Sequence, residues 1–438
     1  MSTSPIRIPE EDIVLLIRNP HVSGSLGHLL SVIGDEGGLI GNIETQFIGR
    51  ENSVRAIALS VYDQDHLERI QETIKEQTEA EVLEVKDLVF ERHEGGKIHS
   101  GRTHELERVD DLRYIYTPGV ARVCRAIQEQ PDLARRYTSI GNSVGIFTNG
   151  TRVLGLGDIG PLASMPVMEG KAVLYDRFVG LSATPILVDT KDPEEFIQTV
   201  EKVAPSFGGI HLEDISSPEC YHIEDELNRR LSQPVMHDDQ HGTATVLLAA
   251  VLSALRETGR SDDPSLVCAQ IGLGAAGFGI ARLLLDYGFQ VIGSDPQPDS
   301  QQRLIDYGGT VVELAEAMQT ADVVVATTGV VGLIKPAMIR PGQIIFAISN
   351  PVSEIIPEEA IQAGASFAAD GKSVNNALAF PGLFKAALAV QSTEISSTMK
   401  IAAAKAISAL ADQGEVVPSV FHPDVHEDVI QAVLKLFE

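Results

Sequence analysis

From Ile13 to Ile17 and from Ser53 to Val61 the chain reads as short β-rich runs of the kind that line a small sheet. Between them SLGHLLSVIGDEGG has the spacing of a helix, and His66 to Thr78 predicts a second one. Two more apolar runs, Leu39 to Phe47 and Val82 to Phe90, complete a β-α-β-β-α-β order, the split βαβ plan. Polar, glycine-bearing EGGKIHSGRT (Glu94 to Thr103) then breaks the periodicity and predicts a linker. From about Arg113 helices and short strands alternate, and SDDPS (Ser261 to Ser265) interrupts them before a new βαβ series. Three parts follow: a small α+β domain at residues 1–90, an α/β lobe at 91–245 and a second α/β domain at 246–438.

At 438 residues and 44% apolar content, each part can bury its own core. A formal charge of -27 argues against nucleic acid or an anionic membrane as partner, because both would repel so acidic a surface. Cys124, Cys220 and Cys268 stand far apart and form no metal-type pair, which suits buried structural thiols in a reducing compartment. The start, MSTSPIRIPEED, lacks an apolar signal core, and no apolar run approaches the roughly 20 residues that span a bilayer. A cytoplasmic enzyme is the expectation.

The segment LVCAQIGLGAAGFGIARLLLDYGFQVIGSD holds a strand, then Gly272, Gly274 and Gly277 in G-x-G-x-x-G spacing, an amphipathic helix, a second strand and Asp295. Gly272 permits the tight turn, Gly274 lets backbone approach a pyrophosphate, and Gly277 allows close helix packing. With Ala275 and Ala276, these residues open a helix whose N–H groups and positive dipole end suit the anion. Asp295 can accept the ribose 2′-hydroxyl hydrogen and repels a 2′-phosphate, so NAD is favoured over NADP. Residues 246–438 are therefore predicted to form a Rossmann-type NAD-binding domain. A second match, Gly155, Gly157 and Gly160 in VLGLGDIGPLASMP, is read as a turn of the other lobe. There Pro161 and Pro166 are expected to interrupt the helix, and Asp158 sits where a phosphate needs neutral backbone.

Further strings stand out: YTPGVA (Tyr116 to Ala121), GLGDIGPLASMPVMEGKAVL (Gly155 to Leu174), HLEDI (His211 to Ile215) and HDDQHGTA (His237 to Ala244). With SNP (Ser349 to Pro351) and NNALAFPGLF (Asn375 to Phe384), they make residues 90 to 438 resemble the malic enzymes in their short bacterial form. The resemblance implies oxidation and decarboxylation of malate to pyruvate and CO₂, with NAD or NADP as acceptor and Mg²⁺ or Mn²⁺ as cofactor. That chemistry asks for a base on the hydroxyl, a Lewis acid on the carbonyl of the 2-oxo acid, and an acid that protonates the enol carbon.

By resemblance, Glu213, Asp214 and Asp239 are the metal ligands, an all-oxygen set that suits a hard cation. Asp238 then stands beside the base, and Lys171 matches the base itself, its pKa expected to fall through burial and a nearby cation. Tyr116 matches the acid, hydrogen-bonded to Lys171. Arg152 and Asn376 are expected on the substrate carboxylates, and Asn350 on the nicotinamide ribose and substrate. From the residues alone, HDDQHGTA also reads as a helix cap, and His237 with His241 as transition-metal ligands; Gly242 and the preceding DDQ suggest a turn there instead of the helix such a pair needs. The tract FAADGKSVNN before Asn375 is shorter than in the short bacterial enzymes.

Two rival functions share these residues: a malolactic enzyme, which keeps NAD bound and releases lactate, and an inactive metabolite sensor. The stretch GHLLSVIGDEGG resembles the start of an ACT domain, which implies an allosteric small-molecule effector at the front; a packing or dimerisation domain without ligand is the alternative. A homo-oligomer, dimer or tetramer, is expected.

Overall fold

The computed structural model describes residues 11–153, 155–261, 263, 265–349 and 352–438, which divide into two compact units at His99/Ser100. The first unit runs β1 (Glu11–Pro20), α1 (Ser25–Asp35), β2 (Leu39–Ile48), β3 (Asn52–Val61), α2 (Gln64–Gln77) and β4 (Glu81–Asp87), as predicted. Its sheet has the order β2-β3-β1-β4, with Ile13 opposite Leu59 and Leu15 opposite Ile57 in the antiparallel β1–β3 ladder. Alternate residues Ile13, Leu15, Ile17, Ile57, Leu59 and Val61 face Leu29, Ile33, Leu67, Ile70 and Ile74 of the two helices. Each such side chain contributes about 1.5–3 kcal/mol on burial. The strand expected to reach Phe90 stops earlier. Asp87 accepts hydrogen bonds from the Val89 and Phe90 N–H groups at 2.8 and 3.1 Å and so caps a short helix α3, Leu88–His93.

The second unit opens with three short helices, α4 (Val109–Ile115), α5 (Val120–Glu129) and α6 (Leu133–Tyr137). A first α/β layer follows: β5 (Ser143–Thr148), α7 (Gly160–Val179), β6 (Ser182–Leu187), α8 (Pro193–Val203), β7 (Gly209–Leu212), α9 (Glu219–Arg230) and β8 (Val235–His237). Its strands are parallel in the order β6-β5-β7-β8. Helix α10 (Asp238–Glu257) then leads to β9 (Val267–Ile271), α11 (Ala275–Tyr287), β10 (Gln290–Ser294), α12 (Pro298–Tyr307), β11 (Thr310–Val311), α13 (Leu314–Thr320), β12 (Val323–Ala326), β13 (Ile344–Ala347), α14 (Pro357–Gln362) and β14 (Phe367–Asp370). These strands order as β11-β10-β9-β12-β13-β14, the doubly wound arrangement of a dinucleotide-binding sheet. Strands β5, β7, β12 and β13 are buried along their whole length, and β12 and β13 accordingly read as continuous apolar runs.

Three expectations are corrected here. Helix α7 forms over 20 residues with Pro166 inside it, where an interruption was expected. Pro161 falls in the first turn, where no intrahelical N–H is needed, and burial of Met168, Ala172 and Tyr175 offsets the roughly 3 kcal/mol that an interior proline costs. Next, His241 and Gly242 lie in helix, not in a turn. Finally, α10 runs unbroken across positions 245 and 246, and the last helices, α15 (Phe380–Ala389), α16 (Ser397–Ala409) and α17 (Val425–Leu434), pack back onto α7 and α10. The 245/246 division thus falls inside a shared helix. Of the thiols, Cys220 and Cys268 are buried, but Cys124 is exposed. Among the described residues no helix is long and apolar enough to cross a membrane.

Candidate active site

Ligands of parallel α/β sheets gather beyond the carboxyl ends of the strands, and the acidic strings lie there. Glu213 and Asp214 follow β7 directly, and Asp238 and Asp239 follow β8 as the first turn of α10. Carboxylate oxygens of Glu213, Asp214 and Asp239 lie within 4.8 Å of one another, a spacing that can hold one metal ion. Asp214 adopts a left-handed backbone, φ 55°, unusual for a residue with a Cβ. Its N–H donates to Asp239 Oδ2 at 3.0 Å and its carbonyl accepts from the Arg152 N–H at 3.1 Å, so the first turn of α10 and the loop after β5 fix it together. The buried Asp214 Oδ2 has no hydrogen-bond partner among the described residues. An orphaned buried oxygen in an all-carboxylate cluster fits a hard divalent cation. Burial, with Glu213 and Asp239 beside it, pushes the Asp214 carboxyl up to about 8.

Lys171 reaches this cluster from α7. Its Nζ lies 2.5 Å from Asp238 Oδ2 and 3.1 Å from Glu213 Oε1, and 4.7 Å from the centre of the Phe380 ring. Burial alone would lower its pKa, but Asp238 and Glu213 outweigh that and hold the ammonium protonated, opposite to the lowering expected from sequence. Asn376 donates to the same Asp238 oxygen at 2.7 Å. Asp238 Oδ1 folds back over Gly242, where an added Cβ would lie 1.9 Å from it. Gly242 is helical yet glycine because Asp238 occupies that space. The roughly 1 kcal/mol that glycine costs a helix is offset by the tertiary packing of α10.

Two residues absent from the sequence expectations complete the buried end. Tyr175 OH lies 2.9 Å from His211 Nδ1, and His211 Nε2 lies 2.5 Å from Glu213 Oε2. Burial drives the His211 pKa down to about 3, so the ring is neutral. A single tautomer then satisfies the chain: Tyr175 donates to Nδ1, and Nε2–H donates to Glu213. Spacing held the clue, since residues 211 and 213 flank one strand end on the same side. The pair His237 and His241 separates: His241 Nε2 and Nδ1 engage Glu224 and Lys400 at 3.0 Å each, whereas His237 stays near Asp239 at 3.7 Å.

The remaining predicted residues are placed less completely. Tyr116 is 68% exposed, and no hydrogen bond joins it to Lys171 among the described residues. Arg152 keeps its guanidinium free of hydrogen bonds to the described residues. Asn350 lies outside the described residues. In the nucleotide-binding layer Gly272 has φ 87°, and a Cβ at Gly277 would lie 1.9 Å from the Gly272 carbonyl oxygen, so both glycines are required. Asp295 Oδ2 accepts from the Leu273 N–H at 2.7 Å and Oδ1 from the Gln297 N–H at 2.8 Å, which ties the end of β10 to the glycine turn.

Residues 96–228 match the malic enzyme N-terminal domain family. The chain is 50% identical to NAD-dependent malic enzyme 1 of Bacillus subtilis, over 96% of each sequence. It belongs to the malic enzyme family. The NAD-dependent malic enzyme of Geobacillus stearothermophilus is 40% identical over 94% of this chain and 91% of its own length. A bifunctional malic/malolactic enzyme of Bacillus subtilis is 40% identical over 78% of this chain. The crystal structure of the Thermotoga maritima NAD-dependent malic enzyme superposes with a TM-score of 0.74 at 37% identity, covering 80% of this malic enzyme chain and 99% of that one.

Proposed function

We propose that the chain oxidises malate to a 2-oxo acid with reduction of NAD, or less readily NADP, and decarboxylates it to pyruvate and CO₂. The observation that carries this reading is the buried lysine held within hydrogen-bond reach of two carboxylates, beside a three-carboxylate cluster with an orphaned oxygen. Glu213, Asp214 and Asp239 would hold Mg²⁺ or Mn²⁺, which supplies a Lewis acid for the substrate carbonyl and offsets the negative charge that keeps Lys171 protonated. Asp238, fixed by Asn376, orients the Lys171 Nζ. In its neutral form Lys171 takes the hydroxyl proton of malate while hydride leaves C2 for the nicotinamide. After CO₂ departs, Tyr116 gives its phenolic proton to the enol carbon. The free Arg152 fork suits a substrate carboxylate, and Asn376 and Asn350 would contribute side-chain amides. Gly272, Gly274, Ala275, Ala276 and Gly277 would hold the pyrophosphate, and Asp295, already bound to the turn, would receive the ribose.

The nearest rival is malolactic chemistry, motivated by the bifunctional relative. Purified protein given L-malate, NAD and Mn²⁺ is expected to accumulate NADH and pyruvate; lactate without NADH would establish the rival instead. Cation dependence has its own test. In metal-free protein the raised Asp214 pKa means the folded state keeps a proton that the unfolded state releases, so stability falls as pH rises from about 4 to about 8. Metal-free melting temperatures are therefore expected to be lower at pH 8 than at pH 6, and Mn²⁺ to raise them more at pH 8. An equal Mn²⁺ shift at both values would contradict this.

The front unit is proposed to be an ACT-like regulatory domain that takes a small effector such as an amino acid. Support comes from its β-α-β-β-α-β sheet and from the Thermotoga relative, 99% of which is matched by 80% of this chain. Full-length protein is expected to show effector-dependent kinetics in a metabolite panel, lost on deletion of residues 1–90. Identical kinetics in both forms would remove the regulatory role.

A further inference from the structure

We propose that Glu224, on α9, is a positioning residue that fixes the opening turn of α10 and through it both the divalent-cation site and that site's distance from the nucleotide helix α11. The inference rests on the reading of Glu213, Asp214 and Asp239 as metal ligands and of the glycine turn as the nucleotide site. Glu224 is 4% exposed, and no hydrogen bond joins it to Lys171 or to the three carboxylates among the described residues. Its oxygens instead gather three N–H groups from one helical turn. Oε1 accepts from the His237 backbone N–H at 2.7 Å, while Oε2 accepts from Gln240 Nε2–H at 3.1 Å and faces His241 Nε2 at 3.0 Å. His241 Nδ1 lies 3.0 Å from Lys400 Nζ on α16. An ammonium only donates, so Nδ1 accepts, Nε2–H donates to Glu224, and one tautomer serves the whole chain of contacts.

A carboxylate is a costly residue to bury for packing alone, and a buried ion pair contributes little net stability. Its best-attested use is to fix one arrangement of the chain where several compete. The arrangement fixed here is the exit from β8. His237 is the residue before α10, its N–H is one that no carbonyl of the helix can take, and Asp238 and Asp239 follow it directly. Its ring is fully buried, with Nε2 3.7 Å from Asp239 Oδ2. A shift of this turn therefore moves the Asp239 carboxylate read as a ligand and the Asp238 carboxylate that holds Lys171 Nζ at 2.5 Å.

The same turn sets a second distance. A Cβ on Gly279 of α11 would lie 2.5 Å from the Gln240 carbonyl oxygen, so the two helices meet there backbone to backbone. Helix α11 begins at Ala275, directly after the glycine turn. Glu224 holds the Gln240 side chain while α11 rests on the Gln240 backbone, so the malate side and the nucleotide side of the reaction share one fixed turn. Hydride transfer depends on the spacing between them, and a displacement of about 1 Å costs on the order of 100-fold in rate.

Glu224→Gln keeps the size of the side chain but turns an NH₂ group toward donors that the carboxylate accepted. In protein free of substrate and cofactor, Mn²⁺ binding followed by electron paramagnetic resonance is expected to weaken by about 10- to 100-fold, the range that loss of an outer partner of a metal site costs. With malate and NAD, kcat is expected to fall by at least about tenfold and the isotope effect of C2-deuterated malate to rise. Lys400→Met controls for plain destabilisation. It removes the outer end of the network and leaves the three bonds at Glu224, so Tm is expected to fall while Mn²⁺ affinity stays within about twofold of wild type. Wild-type Mn²⁺ affinity in folded Glu224→Gln would overturn the proposal. An equal loss of affinity in Lys400→Met would overturn it too, by marking the network as structural. Should Glu224→Gln melt below the assay temperature, Glu224→Asp takes its place with the same outcomes, since it keeps the charge but withdraws it by about 1.5 Å. Wild-type protein that binds no Mn²⁺ and turns over no malate would overturn the reading of the site itself, and this proposal with it.

Discussion

Lys171→Ala is expected to lower kcat by roughly 10²- to 10⁴-fold, the range a positioned base contributes, with NAD affinity unchanged. The dinucleotide's pyrophosphate and ribose are proposed to bind the glycine turn and Asp295, and no described contact links these to Lys171. The variant also removes the cation that pairs with both Asp238 and Glu213, and an unpaired buried charge costs about 3–5 kcal/mol. Lys171→Arg separates the two effects. Arginine keeps the charge but cannot serve as a neutral base, so stability is expected to recover and turnover is not. Steady-state kinetics and thermal melts on the three proteins decide it, and wild-type turnover in either variant would refute the base.

The second large effect is at Asp239. Asp239→Asn keeps an oxygen that can accept the Asp214 N–H but removes one of the three carboxylates proposed as ligands. Metal affinity is expected to fall by at least about 100-fold, beyond the 10- to 100-fold that loss of an outer hydrogen-bond partner costs. Turnover falls with it. The metal-free form should melt at a higher temperature than wild type, because carboxylates crowded without a cation repel each other. Activity gone and apo stability raised is the signature of a binding site; both lowered would mark a structural residue.

Much of this was legible in the order of residues. The glycine spacing pointed to a Rossmann-type layer because Gly272 and Gly277 answer backbone requirements, and the parallel sheet β11-β10-β9-β12-β13-β14 is of that type. The front unit was readable because one sheet face is buried and its strands alternate. Resemblance named Glu213, Asp214 and Asp239 as a ligand set, and their three carboxylates gather at two strand ends. What failed depends on tertiary context. The charge state of Lys171 is set by Asp238, 67 positions away, and Glu213. Gly242 and Pro166 look like helix breakers, but one makes room for Asp238 and the other is carried by the packing of α7. Tyr116 shows the same limit from the other side. Its string is specific, yet the side chain is exposed and no hydrogen bond joins it to Lys171 among the described residues.

The account stands or falls on the products of one reaction. Full-length protein with L-malate labelled by deuterium at C2, NAD and Mn²⁺ is expected to give one pyruvate, one CO₂ and one deuterated NADH for each malate consumed. Malate consumed with lactate and no reduced cofactor, or malate left untouched, would contradict it.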